Sequence, residues 1–353
     1  MLSTAFVIEN RKSLCHSLGR PSRSDFVQLK FGRKNMRRIY KKMFKIFAFI
    51  ILLFVVILLA VYINHRIRLD KEQELLVPLG EMISVDGNNM SVYKEGSGDK
   101  TLVFLSGGGT CSPILDFKSL YSLLSDEYQI VVVEKFGYGY SDVVDRDRDI
   151  DSILDDTRKS LEMAGIKGPY VLCPHSMSGL EALYWANKYP DEVTAIIGLD
   201  MAVPQYYENM KINIPLMKVA SFVANIGVTR LIPGISESEA IKHGTLTEYE
   251  KDIYKAIFYR RTATSTMIQE MEYIKNNAKI VEEMGVPTVP MCLFVSNGSG
   301  GTGFDEETWR QIPKKYITKV DDAKIIELNC PHYVQDYEYA TIAEEIKLYL
   351  SGK

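Results

Sequence analysis

The apolar positions of the chain fall into distinct kinds of run. From Ile46 to Ile63 the segment "IFAFIILLFVVILLAVYI" carries no charge and is apolar on every side. As a helix rising about 1.5 Å per residue it spans roughly 27 Å, enough for a bilayer core. A helix packed on a soluble core would keep a polar face. Further on, short and wholly apolar runs read as buried strands: "TLVFL", "YQIVVVE", "YVLCP", "VTAIIGLD", "VPMCLFVS" and "AKIIEL". The stretch "EMISVDGNNMSVYKEG" reads as a hairpin, two β-rich runs joined by a Gly-Asn turn.

Between the apolar strands the spacing changes to that of amphipathic helices. One places Ile150, Ile153, Leu154, Thr157, Leu161 and Ala164 on a single face, with Gly165 just after. Another runs from Met177 to Tyr189 and is closed by Pro190, and a last one turns Ile342, Ile346 and Tyr349 inward. Alternating strands and helices predict an α/β fold, a mostly parallel sheet with helices on both faces. From Val203 to Gly285 this alternation stops; the segment is helical in character and too long for a connection, so it reads as an inserted helical cap.

Charge sharpens the picture at the N-terminus. The net charge is −3. Residues 1–45 hold twelve Lys and Arg against Glu9 and Asp25, so the remainder is strongly acidic. An acidic body argues against nucleic acid as a partner. Seven Lys or Arg precede the apolar segment between Arg33 and Lys45, whereas the cations after it (Arg66, Arg68, Lys71) are mixed with Asp70, Glu72 and Glu74. The positive-inside bias then predicts one transmembrane signal-anchor in the cell membrane, N-terminus cytoplasmic and the body extracytoplasmic. No small-residue cleavage site follows in "AVYINHRIR". "MRRIYKKMFK" from Met36 looks like a natural start, so no function is assigned to residues 1–35. The expected organisation is a basic tail (1–45), an anchor (46–64), a stalk (65–80), a first core part (81–202), a cap (203–285) and a second core part (286–353). The five cysteines show no paired spacing, and neither a metal site, a cofactor nor a structural disulfide is expected.

In a parallel sheet the loops leaving the carboxyl ends of the strands form the active face. Here those loops are "SGGGTCSP", "EKFGYGYSD", "PHSMSG", "DMAVP", "SNGSGGTGFD" and "NCPHY". Their order resembles the α/β-hydrolase family over about residues 81–202 and 286–353: a glycine loop, "GYGYS", a serine turn between strand and helix, and a late histidine. The resemblance implies a serine hydrolase forming an acyl-enzyme. In a nucleophile elbow the residues two on either side of the serine must be small. Ser178 as nucleophile would put Leu180 in that place, while Ser176 puts Ser178 there, so Ser176 is the candidate; Pro174 on the other side departs from the family's glycine. His332 follows in family order as the general base. The resemblance implies Met177 and Gly108 as the backbone donors of an oxyanion hole. The acid stays open between Asp200, at the end of "IIGLD", and Asp305, far into the loop where the family more often places it; Asp200 is preferred. Glu134 reads as part of a structural loop.

The expected activity is cleavage of an ester or other acyl bond in a small-molecule substrate. Two alternatives stand beside it. One is a proline-iminopeptidase-like aminopeptidase, with cap carboxylates such as Glu248, Glu250 and Asp252 holding a substrate amine. The other is a non-catalytic, membrane-tethered binding protein on a hydrolase scaffold. The apolar cap stretch around Met217, Ala220 and Val223 is expected to pack on the core. Oligomeric state is not legible.

Overall fold

In the computed structural model the apolar runs pair into one eight-stranded sheet. The structure describes residues 23–352, with side chains from Met36 onward. Residues 1–22, and with them Cys15, His16 and the first part of the basic tail, lie outside the described residues. The chain divides into two units, Met1–Ala60 and Val61–Lys353. In the first, helix α1 (Arg23–Lys71) carries the uncharged segment, and Phe47, Leu52 and Phe54 are all exposed along it. It is long and apolar enough to cross a membrane.

In the second unit, β1 (Glu81–Val85) and β2 (Asn88–Glu95) form the expected hairpin. Its turn is Asp86-Gly87 rather than Gly-Asn. Both residues have positive φ, 50° and 84°, as a two-residue turn twisted to match its strands requires. The parallel part begins with β3 (Thr101–Leu105) and β4 (Gln129–Glu134). Helix α2 (Ile150–Met163) follows, its first turn capped by the Asp149 carboxylate, which accepts from Ser152 N–H at 3.0 Å. Then come β5 (Tyr170–Pro174), α3 (Gly179–Lys188) and β6 (Val193–Leu199).

Between β6 and β7 the long helices are α4 (Ile214–Asn225), α5 (Glu248–Arg261) and α6 (Ser265–Met284). The chain ends with β7 (Met291–Val295), α7 (Glu306–Ile317), β8 (Ala323–Glu327) and α8 (Tyr339–Ser351). On α8 the inward positions are Ile342, Ile346 and Leu350; Tyr349 lies half-buried at the edge, because 3.6 residues per turn bring Leu350 under Ile346.

The sheet order is β1-β2-β4-β3-β5-β6-β7-β8, antiparallel at β1–β2–β4 and parallel from β4 onward. Successive side chains point to opposite faces. Val103, Leu105, Val131, Val133 and Leu172 join one apolar cluster, while Leu102, Phe104, Val132, Val171 and Cys173 join another. Both faces are covered, which is why these strands lack alternation. Neighbours β4 and β5 flank β3, so chain order reverses there and a crevice opens at the carboxyl ends.

Two expectations change. The stretch expected to pack on the core forms α4, yet Leu216, Val219, Ala220 and Phe222 are exposed and Ala224 is its only fully buried residue. Apolar composition without a polar face did not reveal that another surface was left uncovered. The expected stalk is helical: α1 continues to Lys71 and a 3-10 turn follows over Glu72–Leu75. His65 is buried, and a Cβ on Gly227 would lie 2.3 Å from the His65 Cβ, so only glycine fits beneath it.

Candidate active site

Ser176 stands at the carboxyl end of β5, where strand gives way directly to helix. Its φ is +53°, a conformation that costs a non-glycine residue about 1–3 kcal/mol and persists only where packing enforces it. Packing does enforce it. A Cβ on Gly107 would meet the Ser176 Cβ at 2.8 Å, and one on Gly179 would lie 2.1 Å from the Ala202 carbonyl oxygen. Ala202 N–H in turn donates to the Ser176 carbonyl at 2.7 Å.

Ser178 has a different place. It is fully buried, and its hydroxyl lies 2.6 Å from the Leu105 carbonyl and 2.8 Å from that of His175. It ties the elbow to β3. Pro174 is explained by the ladder. His175 N–H donates across to Leu105, so the preceding nitrogen faces β6. There β5–β6 pairing runs from Tyr170 to Leu172 and resumes only as a bridge between His175 and Leu199. The missing N–H of proline therefore falls at a gap.

His332 follows β8, held by its N–H to the Ser299 carbonyl at 2.9 Å. Its Nε2 lies 2.8 Å from Ser176 Oγ and its Nδ1 lies 2.6 Å from Asp200 Oδ2. The structure thus brings Ser176, His332 and Asp200 together. Asp200 ends β6 with φ +48° and is fixed from every side. Oδ1 accepts from Ser296 N–H at 2.7 Å and Trp309 Nε1–H at 2.8 Å, and Oδ2 accepts from the Ser296 hydroxyl at 2.6 Å. Four donors suit an acceptor-only carboxylate.

Asp305 is not part of this group. It caps α7: Oδ1 accepts from Thr308 N–H at 2.9 Å and Oδ2 from the Thr308 hydroxyl at 2.8 Å. Those bonds hold its carboxyl below the ordinary range.

The glycine loop after β3 lies against the elbow. A Cβ on Gly108 would sit 3.1 Å from the Met177 methyl and 3.9 Å from Met271 Sδ of α6. Met177 occupies the first turn of the helix that Ser176 begins, where amides have no intrahelical acceptor. His175 is buried beneath, and burial, then the His332 charge, push its imidazole well below its ordinary value. Its Nε2 lies 3.2 Å from the His332 carbonyl, which can only accept, so that nitrogen carries the proton. Chemically, the array offers a hydroxyl, an imidazole positioned to take its proton, and a buried carboxylate to orient the imidazole.

Several functional-looking residues carry no local signal in the sequence. Ser296 and Trp309 grip Asp200 from segments 96 and 109 residues away. Lys135, fully buried, lies 2.5 Å from Glu181 and 3.6 Å from Glu270 of α6. Tyr138 donates to Glu270 at 2.6 Å, and Arg148 reaches Asp156 at 2.8 Å and Glu270 at 3.4 Å. This network fastens α6 to the loop after β4. Glu134 accepts from Tyr140 N–H at 2.8 Å, and a Cβ on Gly139 would strike its carboxylate at 1.9 Å.

A family model described as alpha/beta hydrolase fold matches residues 100–217. Over 310 residues the chain is 37% identical to the uncharacterized protein YbdG of Bacillus subtilis (strain 168), covering 86% of this chain and 95% of that one. The chain belongs to the α/β-hydrolase family. Among other relatives of this hydrolase is the bifunctional esterase/perhydrolase DCH of Acinetobacter calcoaceticus, 27% identical over 126 residues, 36% of this chain and 45% of that one. Its fold is shared with haloalkane dehalogenase DbeA of Bradyrhizobium elkani USDA94, at TM-score 0.58 and 17% identity, over 77% of this chain and 97% of that one.

Proposed function

We propose that this hydrolase is a membrane-anchored serine esterase that works through an acyl-enzyme. The observation that carries the reading is the continuous chain from Ser176 Oγ to His332 Nε2 and from His332 Nδ1 to Asp200 Oδ2. His332 takes the proton of Ser176 as its oxygen attacks an ester carbonyl, and the N–H groups of Met177 and Gly108 hold the oxyanion. His332 then gives that proton to the leaving alcohol. Water, deprotonated by the same imidazole, releases the acid. Each lost oxyanion donor would cost ~10²–10³ in rate. The esterase named among the relatives supports an ester as the substrate class. A serine at the elbow speaks against dehalogenation, which needs a carboxylate nucleophile there.

The carboxylates that an aminopeptidase would need are already engaged. Glu250 closes a capping box with Thr247 and pairs with Lys118, and Glu248 pairs with Lys251 at 2.8 Å. In this reading residues 46–64 anchor the chain with its N-terminus cytoplasmic and the body extracytoplasmic. Residues 203–285 then form a cap over a core made of 81–202 and 286–353. The test is labelling of the full chain with a fluorophosphonate probe, beside hydrolysis of a nitrophenyl-ester series. Both should disappear in Ser176→Ala; labelling that persists in that variant, or none in the wild type, would sink the proposal.

A further inference from the structure

Away from Ser176, a cavity of ≈ 510 Å³ opens where the C-terminal end of α1 meets α4 and α5. Its charged lining is Arg66, Arg260 and Arg261, with His65 beside them, and no carboxylate lines it. Arginine in the last turn of a helix is ordinary in itself, since it faces the negative end of the helix dipole. What is not ordinary here is how these guanidiniums are used. Arg261 Nε donates to the Gly139 carbonyl at 2.7 Å and Arg260 Nη2 donates to the Leu69 carbonyl. Arg260 Nε is buried and has no partner. The nearby Glu72 does not neutralise the group, because Arg230 already holds both its oxygens, at 2.8 and 2.7 Å. Burial, and the facing charges of Arg230, Arg261 and Arg66, push the Arg260 guanidinium below its ordinary value despite Glu72.

We propose that this cavity is a binding site for a phosphate-bearing anion, with Arg66 and Arg260 as its principal ligands. The planar guanidinium fork matches phosphate geometry in pairs of hydrogen bonds. The volume lies in the range of small-ligand sites. The remaining walls favour an amphiphile as carrier of the phosphate. Leu69, Leu76 and Pro78 line the cavity, and Asn225 lines it from the end of α4, whose Leu216, Val219 and Phe222 are exposed. Arg66 also follows the uncharged segment by only three positions in the same helix. A phospholipid headgroup and free phosphate share the chemistry, and the experiment separates them. The phosphate chemistry does not rest on the esterase reading.

The full chain, purified in a neutral maltoside detergent, is titrated with dihexanoyl phosphatidylglycerol and separately with inorganic phosphate. The thermal unfolding midpoint is followed at constant ionic strength. Binding to the native state raises the midpoint saturably. Arg66→Gln and Arg260→Gln should each move half-saturation up by about tenfold, the effect of losing one charge-assisted contact. Arg66 is exposed, so its variant remains a test even if Arg260→Gln unfolds. Saturation by the lipid alone assigns the site to a headgroup, and equal saturation by inorganic phosphate assigns it to a soluble anion. No saturable rise with either probe overturns the proposal. So do variants that titrate like the wild type. Ester hydrolysis measured in parallel reports on the esterase reading independently.

Discussion

His332 Nδ1 stands 2.6 Å from Asp200 Oδ2, whereas Asp305 directs both carboxylate oxygens at Thr308. Two aspartates that compete on paper therefore have different work. Asp200 meets the imidazole from the end of β6, and Asp305 starts a helix.

The first prediction separates them. Asp200→Asn keeps the shape but loses the charge that stabilises the imidazolium and can favour the wrong tautomer, so kcat for ester hydrolysis should fall by ~10⁴. Asp305→Ala should leave kcat within a factor of about two and instead lower stability by about 1 kcal/mol, as for a lost N-cap. Rate and urea midpoint measured on both variants check this. A large rate loss at Asp305 with none at Asp200 would reverse the assignment.

The grip on Asp200 supplies the second. Trp309 Nε1–H donates to Oδ1 at 2.8 Å, and the indole meets the His332 ring edge-to-face at 5.5 Å between centroids. Trp309→Phe keeps most of the ring contact and deletes the donor. A buried acceptor that loses its partner costs about 1–3 kcal/mol. If that loss falls on the orientation of the carboxylate, kcat drops by about tenfold or more while KM stays near its original value. Equal loss in KM and kcat would instead mean that the indole shapes the substrate site.

How much of this was legible beforehand follows from physics. The strands were readable because burial on both faces demands unbroken apolar runs such as "IVVV". The choice of Ser176 over Ser178 was readable because crowding at an elbow is a local constraint, and Leu180 violates it. The acid was only half readable. A capping aspartate and a triad aspartate look identical in sequence, and the contact that decides between them spans 132 residues. The buried network was not readable at all. Lys135, Glu181 and Glu270 lie far apart along the chain, and each alone looks like an ordinary surface charge.

That network gives the third prediction. Lys135→Met removes the cation lying against Glu181 and Glu270 and leaves two buried carboxylates facing each other. Breaking a buried pair from one side typically costs about 3–5 kcal/mol. Adding Glu181→Gln to Lys135→Met should recover part of the loss, because one stranded charge is gone. Urea unfolding of the single and double variants measures both steps. A single-variant cost under about 1 kcal/mol would show that this cluster does not hold α6 in place.

Glu134 makes a prediction about pH. Burial pushes its carboxyl up to about 7 from an ordinary 4.5, and Tyr140 N–H reduces that shift without cancelling it. The folded chain therefore binds this proton more tightly than the unfolded chain does. Between these two values the native state carries the extra proton, so stability falls as pH rises. The contribution is full below about pH 4.5, drains away as pH approaches 7, and changes no further above that. Asp116, also raised to about 7 by burial, acts with the same sign and stays in place when Glu134 is changed. The informative quantity is thus the difference between two profiles. Glu134→Gln is neutral at every pH and keeps an oxygen for Tyr140 N–H. Relative to wild type, its unfolding midpoint should gain as pH climbs from 4.5 to 7, then run parallel. Parallel profiles across the whole range would mean that Glu134 titrates alike in both states, and its burial under Gly139 would need another explanation.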